Sequence, residues 1–329
     1  MGIDVTIGVI SFNRKKYMKS LLESLRVFKD DERFQVVVVD NGSSEEGLRD
    51  MLIESNVIDD LHLGESIDWI NGEYVAKNKM IELTKGDTLL SLQDDRQFIG
   101  TPDYLKKYSD DLLEMQIPML KLDTVRKVTL ASKLMTENTF QSSKTGCKYW
   151  LTKDNHVGTT GLFLVKVLRQ MGPYPVDWPV DKEYWGKSED YFDKKIKEAF
   201  PDQHVTAFGH VPLVASIWND PRGGVSFIRN GTRYGVYESA PDESGLYYKM
   251  LTDSDISKQM ENPAPASFVD VCDSLGWNYS IDKTTGDQVK YDQKLVMAEG
   301  PSSTLFSSTT QEDKSVTSDD EWVEEWLES

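Results

Sequence analysis

Four consecutive valines, Val36–Val39, inside FQVVVVD (Phe34–Asp40) set the first constraint on this chain. Side chains alternate faces along a strand, so β-branched apolar residues at successive positions need cover on both faces. A wet-faced antiparallel sheet cannot provide that cover, whereas a parallel sheet clothed by helices can. VTIGVISF (Val5–Phe12) reads the same way. Between the two lies RKKYMKSLLESLRVF, with Tyr17, Leu21, Leu25 and Phe28 on one helical stripe and Asn13 placed to cap it. A turn and short helix follow in NGSSEEGLRDML, then a weaker strand in VIDDLHLG, a helix in GEYVAKNKMIELTKG and a strand in DTLLSLQ (Asp87–Gln93). Repeated strand–helix units predict an α/β fold: a Rossmann-like, mixed but mostly parallel sheet flanked by helices, with right-handed crossovers and a C-terminal extension.

Such sheets bind ligands beyond the C-terminal ends of their strands. Asp40 and the pair Asp94–Asp95 fall at that edge. Two adjacent carboxylates at the end of a buried strand repel each other and lose hydration. Either they point at water on a turn, or something positive sits beside them. The familiar phosphate cradles are missing: SFNRKK after the first strand lacks the G-x-G-x-x-G glycines, and no G-x-x-x-x-G-K-[ST] occurs. A phosphate-bearing ligand would then need a hard cation, Mg²⁺ or Mn²⁺, which carboxylates bind.

Downstream, DYLKKYSDDLLEM reads as a helix, IPMLKLDTV as a strand, GTTGLFLVKVLRQMG as a strand entering a short helix, SEDYFDKKIKEAF as a helix and HVTAFGHVPLVASIW as a last strand. The expected organisation is a catalytic domain over 1–235, a small appendage over 236–300 and an acidic disordered tail over 301–329. The tail closes with Trp322 and Trp326 four apart, a spacing for a helix that docks a protein partner or for a solvated segment that touches nothing.

The net charge is −18, which disfavours a passive grip on nucleic acid or an anionic membrane. Two cysteines exclude a disulfide framework. No basic stretch leads into a long apolar one at the N-terminus, and no run of about 18 apolar residues occurs. A cytoplasmic protein without a membrane span is expected.

Four segments in order, IGVISFNRKKYMKSLLESL, VVVVDNGSSE, AKNKMIELTKGDTLLSLQDD and GKSEDYF, resemble family 2 glycosyltransferases of the GT-A fold over residues 4–215. The resemblance implies an inverting, metal-dependent transfer of sugar from a nucleoside-diphosphate sugar, with UDP the expected nucleotide, to a hydroxyl on a saccharide. It places Ser11, Asn13 and Arg14 along the nucleotide, Asp40 at the base and Asn78 facing the nucleotide sugar. Read on its own, Asp40 is equally a turn residue before Asn41-Gly42. Gln93-Asp94-Asp95 stands where the family has D-x-D, with glutamine in place of the first acid. Asp95 is the implied metal ligand, and Asp94 lies near the ribose or the metal's water shell. His210 is the implied further metal ligand. Glu189-Asp190 matches the family's E-D pair, with Asp190 as the catalytic base, although acids in a helix's first turn also favour its dipole. Trp178, Trp185 and Glu189 border the acceptor, where aromatic rings stack on sugars or pack over the sheet. The alternative readings are a DNA glycosyltransferase acting on hydroxymethylated bases, a nucleotidyltransferase and a non-catalytic nucleotide-sugar binding module.

Overall fold

A computed structural model describes residues 2–65, 69–122, 139–153, 160–176, 194–211, 213–217, 225–229, 232–236, 243–261 and 280–283. The first strands and helices follow the hydrophobic pattern: β1 (Val5–Ser11), α1 (Lys15–Leu25), β2 (Phe34–Asp40), α2 (Leu48–Glu54), β3 (Asp60–Leu63), α3 (Trp69–Leu83) and β4 (Thr88–Gln93). Then come β5 (Arg96–Phe98), α4 (Pro102–Met115), β6 (Met119–Lys121), β7 (Thr139–Gln141), β8 (Lys148–Thr152), β9 (Gly161–Leu164), α5 (Val165–Met171), β10 (Thr206–Gly209) and β11 (Val214–Ser216). The hairpin β12 (Val225–Arg229) and β13 (Thr232–Val236), the helix α6 (Asp253–Glu261) and the strand β14 (Ser280–Lys283) complete the described elements.

Nine strands form the main sheet in the order β3-β2-β1-β4-β9-β6-β10-β8-β7. Pairings β1–β2, β1–β4, β2–β3 and β6–β10 are parallel, and only β9 and β8 run against the other seven. The expected mixed, mostly parallel sheet flanked by helices is therefore present. The valine run behaves as its composition requires. Val36 and Val38 enter one apolar cluster with Met18, Leu21 and Leu25 of α1, while Val37 and Val39 enter the other with Tyr74, Ala76 and Met80 of α3. Helix α3 crosses β1 over Gly8, where a Cβ would overlap the Met80 and Leu89 side chains unless they shifted; glycine lets Met80 sit against the strand.

Two local expectations differ, and one strand was not expected. Asn13 does not cap α1: Arg14 holds the cap position in a left-handed conformation, with no side-chain capping bond. The Asn13 side chain is spent elsewhere, as described below. The segment 204–218 is not one strand but two, because the chain turns after Gly209 and β11 leaves the main sheet to pair with β5. β5 itself, only three residues and carrying a buried glutamine, has no apolar signature.

Residues 243–261 pack into the larger apolar cluster through Tyr247, Tyr248, Leu251 and Ile256. Gln97, fully buried on β5, fixes them: its Oε1 accepts from Tyr247 N at 2.9 Å and Tyr248 N at 3.0 Å, and its Nε2 donates to Tyr248 O at 2.7 Å. Among the described residues, no helix is long and apolar enough to cross a membrane.

Candidate active site

The chain order reverses at β1: β2 and β3 lie on one side of it and β4 on the other. A crevice opens at such a switch point, beyond the C-terminal ends of the strands. Residues 12–14 leave β1 there, and Asp94 and Asp95 leave β4 there, with Ile10 paired to Gln93 in register.

The loops meet through charge. Asp94 Oδ2 accepts from Phe12 N at 3.0 Å, and Asp94 Oδ1 lies 3.1 Å from Arg14 Nη1. The same nitrogen lies 3.1 Å from Asp95 Oδ2. The Asp94 and Asp95 side chains are only 6% and 7% exposed, whereas that of Arg14 is 42% exposed. The positive group beside the two acids is thus a guanidinium reaching in from the loop after β1. Burial pushes the Asp94 carboxyl up to about 7; Arg14 works against that rise and the Asp95 charge adds to it.

Asp95 is pinned through its backbone, its carbonyl accepting from Ile217 N at 2.9 Å. Among the described residues its buried Oδ1 makes no hydrogen bond and faces Arg96 Nε at 3.4 Å. A buried carboxylate oxygen without a hydrogen bond is costly, and it is an open ligand of the hard-oxygen type that Mg²⁺ and Mn²⁺ take. Asp95 thus supplies one oxygen of the kind a divalent cation takes, with the Arg96 guanidinium beside it.

Two successive non-glycine residues, Asn13 (φ 52) and Arg14 (φ 64), hold left-handed conformations. Each such residue costs about 1–2 kcal/mol unless local bonds compensate, and asparagine is among the side chains that tolerate it. Asn13 Oδ1 accepts from Ser44 N at 2.9 Å and Glu45 N at 3.0 Å, and Asn13 N donates to Ser43 Oγ at 2.8 Å. These bonds clamp the loop after β1 to the loop after β2 and fix the backbone that carries Arg14.

Asp40 is fully buried at the end of β2. Its carboxylate accepts from Ser43 N at 3.0 Å, from Ser43 Oγ and from Arg49 Nε at 3.0 Å. Arg49 also donates to Gly64 O, tying β3's exit to the same corner. Ser11 is buried beside Asp40 in register, and its carbonyl accepts from Asn41 N at 2.8 Å. Asn78, on α3, uses both ends of its amide on one backbone unit: Nδ2 donates to Tyr174 O at 2.9 Å, and Oδ1 accepts from Tyr174 N at 2.7 Å.

His210 follows β10, which β9 and β6 separate from β4 in the sheet. Its ring stacks on Trp150 with centroids 3.9 Å apart, and its backbone N donates to Lys148 O at 3.0 Å. No three His, Cys, Asp or Glu side chains gather as a metal cluster among the described residues. Asp190, Glu189, Trp178 and Trp185 lie outside the described residues, as does the tail. The structure therefore brings Arg14, Asp94 and Asp95 together, sets Asn13, Ser11 and Asp40 beside them, and seats Asn78 on the Tyr174 backbone.

Sequence reasoning missed Phe12 N, Ser43 and Arg49 as supports of this corner, and Gln97 as the anchor of residues 243–261. Ser43 stands inside the quoted VDNGSS motif, so a serine two residues after the turn asparagine was a usable signal. Arg49 and Gln97 carry no local signal, since their partners come from the fold.

A family model described as Glycosyl transferase family 2 matches residues 6–114. It ends well before Glu189 and Asp190. Among solved structures, that of S. aureus TarS 1–349 is 15% identical, covers 65% of this chain and 60% of its own, and has a TM-score of 0.45. The mannosyltransferase PcManGT from Pyrobaculum calidifontis, in complex with GDP-Man and Mn²⁺, is 16% identical, covers 63% of this chain and 57% of its own, and has a TM-score of 0.41. This chain thus spans about 60% of the length of the TarS 1–349 structure it matches. No curated protein matches the sequence.

Proposed function

We propose that the protein, whose residues 6–114 match the family 2 glycosyltransferase model, moves a sugar from a nucleoside-diphosphate donor, UDP being the expected nucleotide, onto a saccharide hydroxyl with inversion. The observation that supports this reading most is the buried Asp94–Asp95 pair at the β1/β4 switch point, tied to the loop after β1 by Arg14 and Phe12 N. A pair of buried acids costs desolvation, and its position is where α/β sheets take ligands.

In this reading the nucleotide lies along residues 11–14, with Asp40 toward the base and Asn78 toward the nucleotide sugar. Asp95 would hold Mn²⁺ or Mg²⁺; His210, the other ligand the resemblance implies, could join it only by leaving its stack on Trp150. A bound cation supplies positive charge against that which develops on the departing diphosphate. Arg14, on the same loop, is suited to the same oxygens. Asp190 is the proposed base. Its carboxylate takes the proton of the acceptor hydroxyl as that oxygen bonds the anomeric carbon, while the bond from that carbon to the diphosphate oxygen breaks. One displacement on the opposite face inverts the centre. Trp178, Trp185 and Glu189 border the acceptor, the indoles offering faces on which sugar rings stack.

The test is nucleotide release from UDP-glucose, UDP-galactose, UDP-N-acetylglucosamine and GDP-mannose, each with Mn²⁺ and a panel of oligosaccharides. Release that needs Mn²⁺ and is lost in Asp190→Asn is the expected result. Undiminished release by Asp190→Asn, or none from any donor, contradicts the proposal.

A further inference from the structure

The candidate corner has two halves. One is the loop after β1, where Arg14 holds the cap position of α1 and its carbonyl accepts from Tyr17 N and Met18 N at 3.0 Å each. The other is Asp94–Asp95, which runs directly into β5. The halves meet through Phe12 N and Arg14 Nη1 on the two carboxylates. They meet a second time through a segment far along the chain, outside the residues 6–114 that the family model matches. Tyr247 is buried, and its ring lies against that of Tyr17, in the first turn of α1, with centroids 6.2 Å apart. The exposed Lys16 sets its ammonium 5.8 Å from the centre of the Tyr17 ring and 5.6 Å from that of the Tyr247 ring, within the range of a cation–π contact. The Tyr247 backbone is held from the other half, because Tyr247 N and Tyr248 N both donate to Gln97 Oε1, two residues beyond Asp95. The hold continues at every second residue: Leu251 N donates to Ile99 O at 2.7 Å, and Thr101 Oγ1 to Asp253 Oδ1 at 3.0 Å.

At the last turn of α1, Phe98 N donates to Ser24 Oγ at 3.1 Å and ties that end of the helix to β5. Met18, Leu21 and Leu25 keep α1 on the sheet through the larger apolar cluster, but apolar burial has no direction. The placement of the first turn relative to β5 therefore needs a directed contact, and Tyr247 supplies it. We propose that Tyr247 is a positioning residue for the donor site. With its ring on Tyr17 and its backbone on Gln97, it fixes the separation between the loop that carries Arg14 and the Asp94–Asp95 pair. A shift of about 1 Å transmitted from a distant residue can cost about a hundredfold in rate, so a contact that sets this separation bears on how the corner takes a diphosphate. The proposal rests on the reading of this corner as the donor site, but its first readout needs no nucleotide.

The experiment compares the full chain with its Tyr247→Ala, Tyr247→Leu and Tyr247→Phe variants. Amide hydrogen exchange of the nucleotide-free protein, resolved by NMR, reads the corner through Phe12 N and Asn13 N, which bond Asp94 and Ser43, and reads the core through Val36–Val39. Tyr247→Ala is expected to speed exchange at Phe12 and Asn13 at least about tenfold more than at Val36–Val39, because local opening frees the first set and only global unfolding the second. Tyr247→Leu keeps apolar bulk without a ring, so the same ordering is expected. This variant carries the test if the alanine form does not fold. Tyr247→Phe keeps the ring and the backbone bonds, and every amide should stay within about twofold of the unaltered protein. UDP affinity in Mn²⁺, measured by calorimetry where each form is folded, should fall about tenfold in the alanine or leucine form and stay within about twofold in the phenylalanine form. Equal acceleration at the corner and at Val36–Val39, or none at the corner, overturns the proposal, since a residue that only stabilises the fold gives one of those results. A loosened corner with undiminished UDP affinity overturns it as well. A corner loosened as expected in a protein whose unaltered form binds no nucleotide leaves the positioning role standing and removes the donor reading.

Discussion

Arg14 Nη1 lies 3.1 Å from Asp94 Oδ1, joining residues eighty positions apart in the chain. The bond does not fully offset burial, for the Asp94 carboxyl is raised to about 7 against 3.8 for the free side chain. A raised acid favours the folded state in its protonated form. That contribution is complete below about pH 4, where both states are protonated, and is lost as pH climbs through about 7. The unfolding free energy of the metal-free protein, compared with that of Asp94→Asn, should therefore fall by roughly 2–3 kcal/mol between pH 5 and pH 8. Urea unfolding of both forms in EDTA across that range checks it. Parallel pH profiles would show that Asp94 is not raised.

Asp95 Oδ1 is the oxygen of the pair that makes no hydrogen bond among the described residues, with Arg96 Nε 3.4 Å away. Asp95→Asn keeps the shape and the bond from Ile217 N but replaces a charged ligand by a neutral one. Mn²⁺-dependent nucleotide binding should weaken by about tenfold or more, while any binding that persists in EDTA stays within twofold. Equal losses under both conditions would mean that the residue supports the fold rather than the cation.

The left-handed Asn13 separates two contributions. Asn13→Ala loses both bonds to the loop after β2 and places an alanine at φ 52, a combined cost of about 2–4 kcal/mol. Asn13→Gly loses the bonds but not the conformation, so it should be about 1–2 kcal/mol more stable than the alanine form. Denaturant midpoints of the two variants give the comparison. If the alanine form equals the glycine form, the strained loop is not present in solution.

Gln97 satisfies three backbone groups of Tyr247 and Tyr248 from inside the core. Gln97→Leu should cost about 2–4 kcal/mol through those groups losing their partners. It should also speed proteolysis within residues 243–261 before it affects the β1–α3 region. Digestion followed by mass spectrometry reads the order of cleavage. Uniform cleavage along the chain would place the segment outside the core.

The early strands are legible because their burial leaves a compositional mark: Val36–Val39 enter two different clusters, as an unbroken valine run must. β5 and β7, of three residues each, leave none. They are short, and their residues are chosen by partners distant in sequence, as Gln97 is by Tyr247 and Tyr248. The corner that joins Asn13, Arg14, Asp94 and Asp95 follows from strand ends and topology, so the right residues stand out in the sequence. The bonds between them do not. Asn13 looks like a helix cap because the nearest donors in sequence belong to α1, yet the donors it meets come from the loop after β2. The positive charge between the acids is Arg14, which a linear reading assigns to a nucleotide and not to its own protein.

The most direct measurement is calorimetric titration of UDP, GDP, CDP and dTDP into the protein, each with Mn²⁺ and each with EDTA. A donor site at the β1/β4 corner should bind one of these nucleotides tightly in Mn²⁺ and at least about tenfold more weakly in EDTA. No heat from any nucleotide under either condition would contradict it.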